Sequence, residues 1–362
     1  MTTVLPEGNY INDLLLKLEE TNVSDVHMKS GKQVYCRLNG NIITLKESNV
    51  LTSDDIINNI QIVLNEKSKK DFLSNMQVDF GFSTSNGTRY RANLYKTATG
   101  VSLALRKINN KANTCQELMA PEIFKKIASL QKGLVIISGP TGSGKSTTMT
   151  AFIDYINNNF EKHIITIEDP VEFVHENKKC LINQREIGSD TKSFSSAIKA
   201  ALREDPDIIL IGEIRDAESI KECLNAAETG HLVFTTLHTQ SASKSIDRIV
   251  DSCEAAEKDL VRSMLSTSIQ AVILQKLIKT KDGNSRVAAF EVMVSTSSIR
   301  NLIRENKISN IDSMIQMGTK FGMVTMKSSI ENLYNNGIIS KEEMEANLVN
   351  LEEAGKNKET GV

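Results

Sequence analysis

Gly139, Pro140, Thr141, Gly142, Ser143, Gly144, Lys145 and Ser146 follow one another at the spacing G-x-x-x-x-G-K-[ST]. That composition suits an anion. Glycines let backbone N–H groups turn inward around phosphates, and a helix beginning at the end of the loop adds its dipole. The flanks fit, with an apolar strand-like run at residues 134–138 before the loop and a helical pattern at 146–157 after it. Lys145 is expected to reach the β- and γ-phosphates, and Ser146 to offer its hydroxyl to Mg²⁺. With Thr147 in the first helical turn, residues 139–147 form the expected binding set for ATP.

Two further runs end in carboxylates. Residues 208–211 are apolar and lead into Gly212 and Glu213, a Walker B arrangement. Ligands of α/β sheets bind outside the carboxyl ends of the strands. Glu213 there either holds Mg²⁺ through water or polarises the attacking water. Residues 164–167 lead into Glu168, Asp169 and Pro170. Pro170 withholds a ladder donor and stops the strand, and Glu168 is the better candidate for a general base. The plainer readings, a solvated strand-end acid and a polar turn, lose weight with a phosphate loop upstream.

His231 and His238 bracket the apolar residues between them. On a strand they stand at opposite ends and cannot share a metal. Each is either a structural histidine or a sensor of the terminal phosphate, with His238 better placed at the strand's C-terminal end. Arg89 and Arg91 alternate along a strand and so project from one face; Arg106 lies on a later strand. From the residues alone a solvated basic face is the preferred reading. The sharper one is a set of arginines that stabilises transition-state charge from another domain or subunit.

The elements that position these groups fall into two patterns. In the first, a helix at 11–19, strands at 33–38 and 41–45 around an Asn39–Gly40 turn, a helix at 53–64 capped by Thr52 or Ser53, and strands at 78–83, 88–95 and 101–108 make a small α+β domain. Residues 109–113 are polar and read as a linker. Beyond them, near-continuous apolar runs at 134–138, 164–167, 208–212 and 232–236 alternate with helical patterns at 194–202 and 217–229, as expected of parallel strands covered on both faces. From about residue 255 the chain reads as mostly helical. The expected division is a first domain over 1–108, the linker, and an α/β domain with a helical C-terminal region over 114–362.

Composition narrows the partners. Net charge is −2, aromatic residues are 5% and tryptophan is absent, which disfavours nucleic acid. Cys36, Cys115, Cys180, Cys223 and Cys253 are scattered without C-x-x-C spacing, so neither a disulfide framework nor a zinc site is expected, and free thiols fit a reducing cytoplasm. No apolar run approaches the ~20 residues of a membrane span. Residues 1–10 lack the pattern of a secretory leader. Membrane association is expected only through a partner.

Several stretches resemble the secretion-superfamily ATPases, and within them the type IV pilus retraction motors. Ile167-Glu168-Asp169-Pro170-Val171-Glu172 is similar to the family's Asp box, and Gly212-Glu213-Ile214-Arg215-Asp216 to its Walker B. The stretch from Thr229 through His231 and His238 to Thr239 is similar to its His box. Residues 182–188, 201–207, 286–291 and 299–305 extend the similarity, which runs from Ser24 to about Ile339. Ser298 departs from the alanine usual there, and His175 matches no motif residue. The resemblance implies a PAS-like domain followed by a RecA-like P-loop ATPase domain, assembled as a homo-hexamer with nucleotide between domains. It implies Glu213 as the Walker B glutamate, Glu168 as general base, and Arg89, Arg91 and Arg106 as arginines brought toward the phosphates. It further implies a motor at the cytoplasmic face of the inner membrane, working against an inner-membrane platform protein. The sequence lacks the additional N-terminal domain and four-cysteine insert of many assembly ATPases, which favours retraction. The alternatives are a type IV secretion-system ATPase, an accessory retraction paralogue, a non-hydrolysing regulator and a helicase.

Overall fold

The structure, a computed structural model, describes residues 4–359 except 22, 39 and 109–111, with side chains as far as residue 351. The chain forms two compact units, Met1–Lys111 and Ala112–Val362. The expected turn residue Asn39 and residues 109–111 of the expected linker lie outside the described residues.

The first unit is a six-stranded antiparallel sheet in the order β3-β2-β1-β6-β5-β4. Its strands are β1 (Val23–Lys29), β2 (Tyr35–Leu38), β3 (Asn41–Thr44), β4 (Gln77–Ser83), β5 (Arg89–Thr97) and β6 (Gly100–Lys107). Helices α1 (Tyr10–Leu18), α2 (Ser53–Ile60) and α3 (Glu66–Asn75) contribute to one core. Alternation decides the faces: Tyr90, Ala92 and Leu94 of β5 and Val101, Leu103 and Leu105 of β6 enter that core, so Arg89, Arg91 and Arg106 project from the other side. Thr52 caps α2 by a reciprocal pair of bonds with Asp55. The helix ends at Ile60 and continues as a single 3₁₀ turn, Gln61–Val63. Two elements were not foreseen. β1 lies centrally in the sheet, but Ser24 and Asp25 interrupt its apolar content; α3 buries Phe72 alone, so it has no stripe to recognise.

The second unit is a seven-stranded sheet in the order β13-β12-β7-β11-β10-β8-β9. Its strands are β7 (Gly133–Ser138), β8 (His163–Glu168), β9 (Leu181–Glu186), β10 (Ile208–Ile211), β11 (Leu232–Leu237), β12 (Ile269–Lys279) and β13 (Arg286–Val294). All pairings are parallel except β12 with β13. Its helices, in chain order, are α4 (Ile123–Ala128), α5 (Lys145–Asn159), α6 (Phe194–Ala201), α7 (Ala217–Glu228), α8 (Ala242–Asp251), α9 (Lys258–Ser268), α10 (Ser297–Arg304), α11 (Ile311–Met317), α12 (Met326–Asn335) and α13 (Lys341–Glu359). Within β7, Leu134 and Ile136 face the cluster built with α6 to α10, while Val135 and Ile137 face the cluster of α4 and α5. A strand buried on both sides must be apolar throughout, which is why these runs do not alternate.

The helical reading from residue 255 onward needs correction. The hairpin β12–β13 divides that region, and β12 pairs in parallel with β7 to extend the sheet. Its apolar run is long and covered on both faces, a pattern that periodicity does not separate from a buried helix.

Behind the strand that leads to the phosphate loop, Phe152 stacks on Phe124 with ring centroids 4.8 Å apart and lies 5.4 Å from Phe234, while Phe290 meets Phe124 edge-on at 5.1 Å. Phe152→Ala is expected to cost about 3–5 kcal/mol of stability by opening a cavity there. Denaturant titration of wild type and variant checks this, and a loss below about 1 kcal/mol would contradict the packing.

Candidate nucleotide site

β7 ends at Ser138 and the chain turns through Gly139 (φ 148°), Gly142 (φ 77°) and Gly144 (φ 86°) into α5. Two of these positions tolerate nothing larger. A Cβ on Gly139 would lie 2.4 Å from the backbone carbonyl oxygen of Gln275, and one on Gly144 would lie 2.8 Å from Gln275 Nε2. The loop is therefore pressed against β12. Gln275 is buried within that strand, and its Oε1 accepts a 2.6 Å hydrogen bond from Thr148 Oγ1 of α5.

The resulting cradle matches an anion. Ser143 Oγ is buried with no hydrogen-bond partner among the described residues, and buried polar atoms in that state call for a ligand or water. Lys145 Nζ donates to the carbonyl oxygens of Gly139 (2.8 Å) and Pro140 (3.1 Å), so the cation is folded back over the loop. Burial pulls the Lys145 pKa down, against the carboxylates of Glu213 and Glu172. Thr141, Ser146 and Thr147 are exposed at the mouth and first helical turn. The hydroxyl of Ser146 and the carboxylate of Glu213 are the hard oxygen donors that Mg²⁺ takes, and Mg²⁺ needs only one or two from protein when phosphate supplies others.

His238 closes one side. Its Nδ1 is 3.4 Å from Lys145 Nζ and 3.5 Å from Thr141 Oγ1, and its Nε2 is 3.6 Å from Glu213 Oε2. Burial lowers its pKa, with Lys145 and Arg215 acting in the same direction and Glu213 opposing them, so the imidazole is held neutral at ordinary pH. Glu213 also pairs with the guanidinium of Arg215. The loop carrying His238 is fixed to β7 by hydroxyls: Ser138 Oγ lies 2.6 Å from Thr239 Oγ1, which lies 2.6 Å from Ser245 Oγ.

Glu168 ends β8, next to β10. Its Oε1 accepts from Thr166 Oγ1 (2.6 Å) and Gln184 Nε2 (3.2 Å). Burial pushes the carboxyl pKa up, and these two donors, with a backbone N–H of Glu172, oppose the shift. A Cβ on Gly212 would sit 3.4 Å from the Glu168 Cα, in ordinary contact, so the ends of β8 and β10 lie side by side.

Lys145, His238, Glu213 and the loop thus converge, and Glu168 stands at the neighbouring strand end. His231 does not join them. It precedes β11 at the far end, where Nδ1 lies 3.0 Å from the Ala226 carbonyl oxygen and 3.3 Å from Thr229 Oγ1, tethering the end of α7. Within this chain it is placed away from the phosphate loop, because a strand separates it from His238. The arginines belong to the first unit. Arg91 on β5 is registered directly opposite Arg106 on β6. Arg106 Nε donates to Asp25 Oδ1 at 2.8 Å, and Arg37 lies 3.8 Å from the same carboxylate. Burial would raise the Asp25 pKa, but hydrogen bonds from Ser24 and Arg106 prevail and hold it low. Arg89 lays its guanidinium over Gly81.

Sequence reasoning missed Gln275, Thr148, Thr166 and Gln184. Gln275 and Thr166 had a signal, a polar residue inside the apolar runs 269–278 and 164–167, and Gln184 lies in the stretch 182–188 that resembles the family; Thr148 had none.

The chain matches the family described as "Type II/IV secretion system protein" over residues 6–346. It is 48% identical over 332 residues to the type IV pilus retractation ATPase PilT of Pseudomonas aeruginosa, covering 92% of this chain and 96% of that protein. It is 51% identical over 292 residues to a twitching motility protein of Neisseria gonorrhoeae, covering 81% and 78%. The crystal structure of the pilus retraction motor PilT with bound ADP superposes with a TM-score of 0.85 at 41% identity, covering 92% of this chain and 95% of that one. The chain belongs to the type II/IV secretion system ATPase family.

Proposed function

We propose that this chain hydrolyses ATP and uses the energy to retract a type IV pilus. The observation that carries the reading is the convergence of Lys145, His238 and Glu213 on a glycine cradle pressed against Gln275, with Glu168 on the adjacent strand end. The near full-length likeness to a retraction ATPase supports the direction of work.

In this reading the loop N–H groups, the Ser143 hydroxyl and Lys145 bind the β- and γ-phosphates. Water attacks the γ-phosphorus, its proton passes to the Glu168 carboxylate, and the bond to the β-phosphate oxygen breaks, leaving ADP and phosphate. Ser146, and Glu213 directly or through water, would hold Mg²⁺, which would supply neutralisation of the phosphate charge. Neutral His238, between Lys145 and Glu213, reports whether a γ-phosphate is present.

The chain acts as a homo-hexamer, and Arg89, Arg91 and Arg106 reach the phosphates from another subunit. It works at the cytoplasmic face of the inner membrane, against a platform protein there. Among the described residues no helix is long and apolar enough to cross a membrane.

Lys145→Ala is expected to remove ATPase activity, whereas Glu168→Ala and Glu213→Ala bind ATP and lose about 10²–10⁴-fold in turnover. Phosphate release beside nucleotide titration separates the two; folded glutamate variants that fail to bind would reverse the roles. Deleting the gene in its host should give hyperpiliated cells that do not twitch, and loss of pili would refute retraction. For the arginines, a protein carrying Arg91→Ala and one carrying Glu213→Ala are each expected to be nearly inactive and to regain activity in part when mixed, since some interfaces receive both intact groups. An arginine supplied in trans is worth about 10³–10⁵ in rate in other P-loop enzymes. No recovery at any ratio, with mixed rings formed, would exclude action across subunits.

A further inference from the structure

β9 is the last strand on its side of the sheet, and after Glu168 the chain passes through residues 169–176 without regular secondary structure. Side chains of β9 hold that segment. Glu186 Oε2 accepts from the Val171 N–H at 3.1 Å. Gln184 does more: its Oε1 accepts from the His175 N–H at 2.8 Å and its Nε2 donates to the Phe173 carbonyl at 2.7 Å. The amide thus offers residues 173 and 175 the donor and acceptor that a neighbouring strand's peptide would offer.

This pairing leaves the amide one orientation. The Phe173 carbonyl can only accept and the His175 N–H can only donate, so the nitrogen and oxygen of Gln184 cannot be exchanged. The second N–H of Nε2 is then the group that meets Glu168 Oε1, 3.2 Å away. An N–H only donates, and donation favours the ionised carboxylate. The hydroxyl of Thr166 donates to the same oxygen and lowers the carboxyl pKa as well, but unlike the amide N–H it can turn to accept from a protonated carboxyl.

We propose that Gln184 is a positioning residue for hydrolysis: clamped by the backbone of residues 173 and 175, it holds the Glu168 carboxylate ionised and in one orientation at the end of β8. The proposal rests on the reading of Glu168 as general base.

The surroundings make such a donor necessary. Burial raises the Glu168 pKa, and the Glu172 carboxylate raises it further. Glu186 is registered beside Glu168 on β9, and Asp169 follows it in the chain. On the β10 side Gly212 brings only backbone, with Glu213 next in sequence. Among the described residues, the groups that lower the Glu168 pKa are Thr166, Gln184 and the Glu172 N–H, all by hydrogen bonding. A base of raised pKa is ionised only above that value, so turnover is lost as pH falls through it. Removing a donor raises the value and moves that acid limb to higher pH.

The test is the dependence of ATP turnover on pH for the full chain, wild type against Gln184→Leu, Gln184→Glu and Glu168→Gln. Gln184→Leu should move the acid limb up by about one pH unit and lower kcat on that limb about tenfold, with KM for ATP held within about twofold. Gln184→Glu keeps an acceptor for the His175 N–H but sets a carboxylate against Glu168, and should move the limb further. A residue that merely braced the segment would lower the amount of active protein and leave the limb in place. Wild-type limbs in both variants would therefore overturn the proposal; if Gln184→Leu does not fold, the limb of Gln184→Glu decides alone. Glu168→Gln separates the two readings. Wild-type turnover there removes Glu168 as base and the Gln184 proposal with it, whereas an inactive Glu168→Gln beside unmoved limbs sinks the Gln184 proposal alone.

Discussion

Across the parallel ladder, Ile167 of β8, Ile211 of β10, Thr235 of β11 and Ile136 of β7 are registered side by side, one level of four neighbouring strands. Glu168 follows its strand's member of that level immediately. Glu213 comes two residues after Ile211, His238 three after Thr235, and Gly139 three after Ile136. Parallel hydrogen bonding thus brings groups from four distant parts of the sequence to one rim, stepped outward from the edge of the sheet toward the loop. A slip of one residue in any pairing would exchange the side chains packed in one core for those packed in the other, so the fit of Ile165, Ile209 and Val233 in their own cluster favours the register that the chemistry uses.

Polar groups behind this rim are placed at a cost, and several are matched for that reason. Thr148 and Gln275 are both buried and satisfy each other across the contact between α5 and β12. Ser138, Thr239 and Ser245 link β7, the loop after β11 and α8 through hydroxyls alone. An unpaired hydroxyl in such surroundings costs on the order of 1–3 kcal/mol; among the described residues Ser143 Oγ of the loop and Thr235 Oγ1 of β11 are both buried without a hydrogen-bond partner.

What the sequence reveals here depends on the range over which each signal acts. The phosphate loop is local: eight residues, their flanking strand and helix, and the acids ending 208–211 and 164–167 can be read without knowing any tertiary contact. Strands β7, β8, β10 and β11 were legible because short apolar runs lay between turn signals. β12 shares their apolar character but is 11 residues long, follows α9 without a break and contains Gln275 and Lys276, so its length argued for a helix. The supporting residues of the site are silent for another reason. Thr148 meets Gln275 across 127 positions, and Gln184 meets Glu168 across 16, and although Gln275 stands out in its apolar run, nothing local marks which residue it meets. The two histidines show the converse: motif similarity treats them alike, while the strand between them sends one to the phosphate rim and the other to the end of α7.

β12 is held along both of its edges. On one edge it carries the carbonyl and amide of Gln275 against Gly139 and Gly144, and on the other it is registered with β13 through nine consecutive pairs, from Ala271–Val294 to Lys279–Arg286. From the same strand Leu274 and Ile278 pack with Met326, Ile330 and Leu333 of α12. A displacement of the phosphate loop along β12 loads those nine rungs in shear, all at once, instead of peeling them one by one. The strand thus links the phosphate loop on one edge, the β13 ladder on the other and the helical layer that packs on Leu274 and Ile278.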